Sequence, residues 1–279
     1  MFAKTLVAVI RGEEDLPRVL DVAGAVALKN EGFIIGVHSE PSPAAYVPAI
    51  GMEGIPYDAS ILEANRERMD ALGVAFKAYL SRQGLAGEWR GIESFSGDSA
   101  LSSISSAFSA DLVVVQQDDP DHPESGELNL GALLFESGRP VLMVPYTWSS
   151  QFDPKRIIIA WNNTREAARA AFDALPFLAR AQEVEILLID PESNEEHRAS
   201  MQGSELALAL DRHGIRAQIV NQPSGGIPIG EAIENRITES AADMVVMGAY
   251  SKSRLRELLF GGATRTLLSS MPVPVLLSR

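Results

Sequence analysis

The chain has 279 residues, 46% of them hydrophobic and 22% charged, which is material for packed cores and not the composition of a disordered polymer. A net charge of −13 opposes general nucleic-acid binding, because a duplex would repel it. The absence of cysteine excludes a disulfide framework, a thiolate zinc site and a cysteine nucleophile.

The opening MFAKTLVAVIRGEED holds an apolar run of only about six residues, too short for a secretory signal or a membrane span, and predicts a cytoplasmic protein that does not engage a membrane. Within it, Lys4 to Ile10 reads as a buried strand. Phe33 to His38 is the second strand, and a Pro- and Gly-rich stretch around Pro41 to Pro56 predicts a surface loop. A helical pattern over Asp58 to Leu80 leads to a third strand, Trp89 to Ser94. Ala110 to Val115 and Arg139 to Val144 give the fourth and fifth.

The series then restarts. Lys155 to Ala160, Val184 to Ile189, Arg216 to Gln222, Ala242 to Met247 and Val273 to Leu277 repeat the five strands in order. The first, second, fourth and fifth pairs are 151, 151, 132 and 134 residues apart, so the copies differ in length mainly by the loop at Pro41 to Pro56. Helical spacing recurs over Glu166 to Ala179, through Ala167, Ala170, Ala171, Ala174, Leu175 and Leu178, and over Ile229 to Ser240. Strands alternating with helices imply parallel strands joined by right-handed crossovers. The expected fold is α/β: two tandem doubly wound domains, residues 1–147 and 155–279, each a five-stranded parallel sheet of order 3-2-1-4-5 with helices on both faces. They are expected to meet near Thr147 to Pro154 and to pack about a pseudo-twofold, a pseudo-dimer within one chain. Formation of a homodimer is left open.

In such sheets ligands bind beyond the carboxyl ends of the strands, where the strand order reverses. The second copy offers Trp161-Asn-Asn-Thr164 after its first strand. After its fourth comes Gly248-Ala-Tyr-Ser-Lys-Ser-Arg-Leu-Arg-Glu-Leu-Leu-Phe-Gly-Gly-Ala-Thr-Arg-Thr-Leu-Leu268, which carries Lys252, Arg254 and Arg256 and opens a helix at Gly261-Gly262. Unpaired N–H groups at that start favour an anion. This segment resembles the Gly-x2-Gly-x9-Gly-Ser/Thr phosphate loop of the ATP-binding universal stress proteins. Gly248 and Gly261 match in position, and Ala242 to Gly248 and Pro272 to Leu277 are similar to that family as well.

The resemblance implies that residues 155–279 are a universal stress protein domain binding an adenine nucleotide, ATP, with or without Mg, while 1–147 is a degenerate copy. Carried over residue by residue, it puts Ala160 and Asn162 near the nucleoside, with Asn162 where an Asp is usual. Leu188 to Asp190 would supply backbone groups to the adenine edge, and Met247 and Gly248 would border base and ribose. Gly261, Gly262, Ala263 and Thr264 would hold phosphate. Two positions depart from the family: Ser251 stands where its second Gly belongs, and Gly262 where it has Ser or Thr.

The function implied is stress response with ATP as a regulatory ligand, at most slowly hydrolysed, acting on an unknown protein partner. The alternative is an interaction scaffold that no longer binds nucleotide. An adenylyl-transferring enzyme is disfavoured: there is no His-x-Gly-His signature, and the Ser-Gly-Gly at Ser224 to Gly226 follows a third strand and does not open a loop after a first. No Gly-x-Ser-x-Gly, Gly-x4-Gly-Lys-Ser/Thr or Gly-x-Gly-x-x-Gly motif occurs, and the four His residues show no metal-ligand spacing, so no catalytic residue and no metal site is expected. Asp111 and Asp243, each opening a fourth strand, read as turn or cap residues, and Gly97-Asp98 and Gly230-Glu231 as matched helix starts.

The two copies differ in charge. Through Thr147 there are 10 Lys plus Arg against 21 Asp plus Glu, giving −11; from Trp148 onward there are 14 against 16, giving −2. The loop Gln116 to Glu127 has five carboxylates and no Lys or Arg, and two prolines that lack an N–H. It is expected to repel a triphosphate, so that only the second copy binds nucleotide.

Overall fold

β-Branched runs supply the strands and spaced alanines and leucines the helices. The computed structural model describes residues 3–41, 59–122, 127–190, 196–249, 268 and 270–279. In chain order these give β1 (Thr5–Val9), α1 (Leu16–Asn30), β2 (Phe33–Pro41), α2 (Ala59–Gln83), β3 (Ala86–Ser94), α3 (Ser99–Ala107), β4 (Leu112–Gln116), α4 (Leu130–Glu136) and β5 (Val141–Val144). The second copy runs β6 (Arg156–Ala160), α5 (Arg165–Asp173), α6 (Leu175–Leu178), β7 (Glu183–Ile189), α7 (Glu196–Asp211), β8 (Ala217–Gln222), α8 (Ile229–Ser240), β9 (Met244–Gly248) and β10 (Val275–Ser278). The loop at 42–58 lies outside the described residues. No helix among the described residues is long and apolar enough to cross a membrane.

The chain divides into two compact units, Ala3–Ser137 and Gly138–Arg279. In the first, β3-β2-β1-β4 lie side by side, all parallel. Leu6 to Val9 and Val113 to Val115 are fully buried, as expected of central strands covered on both faces, whose sequence then reads as an unbroken apolar run. Helix α1 packs on β1, β2 and β4 and against α2; α3 packs on β1 and β2 and against α4. The chain steps from β1 to β2 and β3 on one side and then crosses to β4 on the other, and with right-handed crossovers this sends the two helix pairs to opposite faces.

In the second unit β10-β9-β6-β7-β8 are parallel. The fifth strand of the first copy joins them: β5 runs antiparallel to β10, with Leu142 opposite Leu276, Val141 opposite Leu277 and Met143 opposite Val275. The expected order 3-2-1-4-5 is found in both copies; the antiparallel pairing of β5 with β10 is what the expectation of two separate sheets did not include. Leu142 and Leu276 are equivalent residues of the repeat, so the register is centred on a local dyad, the self-complementary geometry of an isologous strand pair.

Hydrogen bonding repeats along with the strands. Asp111 Oδ2 accepts from the backbone N–H of Lys4 at 2.7 Å and Thr5 at 2.9 Å; Asp243 Oδ2 accepts from Lys155 and Arg156, both at 2.9 Å. Each aspartate thus clamps the start of the neighbouring central strand. The helix expected over Glu166 to Ala179 is broken at Ala174, because Pro176 in the first turn of α6 has no N–H to continue it. The two helix starts are unmatched: Asp98 caps α3 by accepting from Ala100 and Leu101 N–H groups, whereas α8 begins after Pro228 with no side-chain cap.

Candidate functional site

In the second unit β6 lies between β9 and β7, and the chain leaves it towards β7 and later returns on the β9 side. The switch point is therefore the crevice beyond the carboxyl ends of β6 and β9. Ala160 stands opposite Met247 there. The chain bends away through Asn163, at φ 54°, and Thr164 starts α5. The Thr164 hydroxyl accepts from Ala167 N–H at 3.2 Å and donates to Asn162 Oδ1 at 2.8 Å. That occupies the oxygen side of the Asn162 amide and leaves its Nδ2 as the donor for a neighbour.

Gly248 ends β9 beneath the first turn of α5. A Cβ there would lie 2.5 Å from the carbonyl carbon of Glu166 and would collide with Ala167 N, so glycine is what allows helix and strand to approach so closely. Glu166 in that turn is buried. Burial alone would push its carboxyl up, but the Arg165 hydrogen bond, a backbone hydrogen bond and the charges of Arg165 and Arg279 bring it below the ordinary glutamate value.

At the end of β7 the Leu188 side chain is buried, so only its backbone could meet a ligand. Asp190, at φ 48°, donates its N–H to Gln222 O at 3.1 Å and accepts from Ser224 N–H at 2.8 Å. Hydrogen bonds from the Ser224 hydroxyl and N–H hold its carboxyl below the usual aspartate value. Asp190 thus ties the β7 end to the loop after β8. Of the residues read from sequence, Ala160, Asn162, Met247 and Gly248 meet at the switch point, and Leu188 and Asp190 stand at the adjacent strand end. Ser251, Gly261, Gly262, Ala263 and Thr264 lie outside the described residues, with the basic residues of the same loop.

Sequence reasoning did not single out the polar atoms that this end of the sheet leaves unpaired. Four buried side-chain atoms among the described residues of this unit have no hydrogen-bond partner: Trp148 Nε1, Trp161 Nε1, Gln222 Oε1 and Ser278 Oγ. Three of these side chains sit at or just past a strand's carboxyl end, on β6, β8 and β10. Buried polar groups are nearly always paired; of the three, Trp161 follows β6 at the switch point, while Gln222 and Ser278 end the two outer parallel strands, β8 and β10, about four strand spacings of roughly 4.8 Å apart. A cavity of about 360 Å³ lies at the opposite, amino end, lined by residues that include Arg156, Glu185 and Arg216. Its charges are largely satisfied within the protein, Arg156 by Asp243 and Glu185 by Arg236, and it is remote from the switch point.

The equivalent crevice of the first unit, between the ends of β1 and β4, is filled. Arg11, at the repeat position of Asn162, has its side chain only 6% exposed. Its guanidinium donates to Asp118 Oδ1 at 2.6 Å and to the carbonyls of Gln116 and Gln117 at 3.3 and 3.2 Å, and its Nε lies 3.8 Å from Asp15. Burial pushes the Asp15 carboxyl above its ordinary value, against the N–H groups of Arg11 and Gly12 and the Arg11 charge, which pull it down. Next to this cluster His38 bridges Ile10 O at 2.9 Å and Glu40 at 3.0 Å, a structural tie between the ends of β1 and β2.

A sequence model of the universal stress protein family matches residues 154–279. These residues form a universal stress protein domain. The whole chain is similar in structure to a universal stress protein from Archaeoglobus fulgidus DSM 4304, with a TM-score of 0.67, 14% identity, and coverage of 100% of this chain and 97% of the other. It is also similar to a protein of unknown function from Pseudomonas aeruginosa PAO1, with a TM-score of 0.61, 14% identity, and coverage of 99% and 92%. The cytoplasmic domain of a prokaryotic cation chloride cotransporter gives a TM-score of 0.53 at 10% identity, covering 99% and 95%. At these identities the likeness is one of fold, and the fold is shared by a stress protein and part of a transporter. No curated protein matches the chain in sequence. For the universal stress protein domain, the family match includes the strands that build the crevice, β6 and β9, together with the loop between β9 and β10.

Proposed function

We propose that this chain is a cytoplasmic stress-response protein that binds one adenine nucleotide, ATP, in its second copy and uses it as a regulatory ligand. The observation that carries the reading is the contrast between the two switch points. One has its own guanidinium packed into it, and the other, within a universal stress protein domain, is bordered by the Asn162 amide and by the glycine that ends β9. Asn162 Nδ2 and the backbone at Met247 and Gly248 are suited to a nucleoside. The N–H groups of Gly261, Gly262, Ala263 and Thr264 are suited to phosphate, where Mg, if bound, would neutralise charge. The described crevice residues offer hydrogen bonds and packing and no evident general base, so its output is conformational.

Calorimetric titration with ATP is expected to give about one site per chain, and denaturing the purified protein should release an adenine nucleotide of identifiable mass. A stoichiometry near two would remove the distinction between the copies. Absence of binding at millimolar ATP would leave the scaffold reading in its place. In the same titration Gly262→Asp, which sets a carboxylate against phosphate, should weaken ATP binding at least tenfold by local repulsion; an unchanged Kd would take this loop out of the site.

A further inference from the structure

We infer that the α3–α4 face of the first unit is a docking surface for a basic amphipathic helix of another protein. This surface belongs to the copy whose own crevice is filled, and its role does not depend on nucleotide in the other copy.

Helix α3 carries no charged residue. From Ser99 to Ala110 the chain contains only Ser, Ala, Leu, Ile and Phe, whereas the outer face of a surface helix is normally charged or polar. Leu101, Ser105 and Phe108 recur at i, i+4 and i+7 and so share one side. Leu101 is 39% exposed and Phe108 60%, and Ser105 between them is exposed as well. The other side, with Ala100, Ser103 and Ala107, is buried. Helix α4 packs beside α3. Both helices run back from the carboxyl ends of parallel strands, so Phe135, 42% exposed in the last turn of α4, lies at the same end of the unit as Phe108. The corresponding helix of the second copy, α8, exposes Glu231, Asn235, Thr238 and Glu239 beyond Ile229 in its first turn. The fold itself therefore does not require an apolar outer face at this place, and such faces mark contact surfaces.

The charge around the stripe selects what covers it. Between Arg90 and Arg139 the sequence holds nine Asp and Glu and no Lys or Arg, and this span comprises the end of β3, α3, β4 and α4. Glu136 is exposed next to Phe135, and Asp121 and Glu127 are exposed ahead of α4. A second copy of this chain would bring these carboxylates together with no cation from either span to pair them, on top of a net charge of −13. Nucleic acid or an anionic lipid surface would be repelled as well. A helix with an apolar stripe flanked by Lys and Arg meets both features. Its stripe lies along Leu101 to Phe108, two turns or about 10 Å, and its cations face the carboxylates.

The test uses the full chain without nucleotide and a fluorescent amphipathic helical peptide of Leu and Lys, about four turns long, with the Glu-for-Lys peptide as control. Anisotropy at physiological ionic strength should show saturable binding of the Lys peptide and none of the Glu peptide. Phe108→Ser is expected to raise Kd about tenfold. Ser105→Lys sets a cation in the middle of the stripe without removing a packed side chain; it should raise Kd at least as much, and it serves should Phe108→Ser prove unstable in thermal unfolding. Ser81→Lys, at an exposed site on α2, makes the same change in net charge and should leave Kd within about twofold of the wild type. Equal loss in Ser105→Lys and Ser81→Lys would reduce the binding to general attraction by an acidic protein and overturn the docking surface, as would wild-type binding of both peptides or of neither. Sedimentation decides on a second copy: a dimer that forms with rising concentration and is lost in Ser105→Lys would overturn the partner assigned here.

Discussion

At the residue scale, a guanidinium held by Asp118 at 2.6 Å stands in the first copy where the second has the amide of Asn162. Arg11 neutralises Asp15, which is 3% exposed, and removing one member of a buried pair strands the other as an uncompensated charge. Arg11→Met is therefore expected to lower unfolding free energy by roughly 3 kcal/mol, read from urea denaturation. The pH dependence has a definite sign. Burial raises the Asp15 carboxyl above its unfolded value, so its contribution to stability is present in full below the ordinary aspartate range and is lost as pH rises through the raised value. Without Arg11 to stabilise the anion this loss deepens, and the gap between Arg11→Met and the wild type should widen from pH 4 to pH 7. A gap that is constant or narrows on that path would show that Asp15 is not the group left exposed to the substitution.

At the scale of elements, Gly248 sets how closely α5 approaches β9. Gly248→Ala places a methyl against backbone at Glu166 and Ala167, where no side chain can swing aside. Overpacking of this kind costs roughly 1–3 kcal/mol, expected as a lowered Tm together with weaker ATP binding, since α5 carries Thr164 and through it the Asn162 amide. A Tm and Kd equal to the wild type would mean that the helix start relaxes freely. Much of this architecture is legible in sequence because central strands buried on both faces must be apolar throughout, as at Leu6 to Val9 and Ile157 to Ile159. Pro176 announces the break between α5 and α6, although the alanine spacing around it reads as one helix. The partner of β5 is not legible, because four apolar residues specify a strand and not the edge to which it adds. In the site, strand ends pointed to the loops that begin at Trp161 and Gly248, and the family resemblance to Ala160, Asn162, Met247 and Gly248. Arg11 matters through its burial and its partners, which one sequence does not display.

At the scale of the whole molecule, duplication has produced two copies with different fates. The first carries a charge of −11 and the second −2, and in the first an internal cation occupies the place where a ligand would sit. One bound nucleotide per chain is the expected result, and it follows from Arg11 as well as from the acidic loop that contains Asp118. The pairing of β5 with β10 has a consequence for the covalent connection between the copies. The residues joining β5 to β6 are not what holds β5 in place; that is done by its ladder to β10, centred on Leu142 and Leu276. A protease nick between Val144 and Arg156 would leave two fragments still sharing a hydrogen-bonded seam, as in a split reporter whose halves reassemble without a linker.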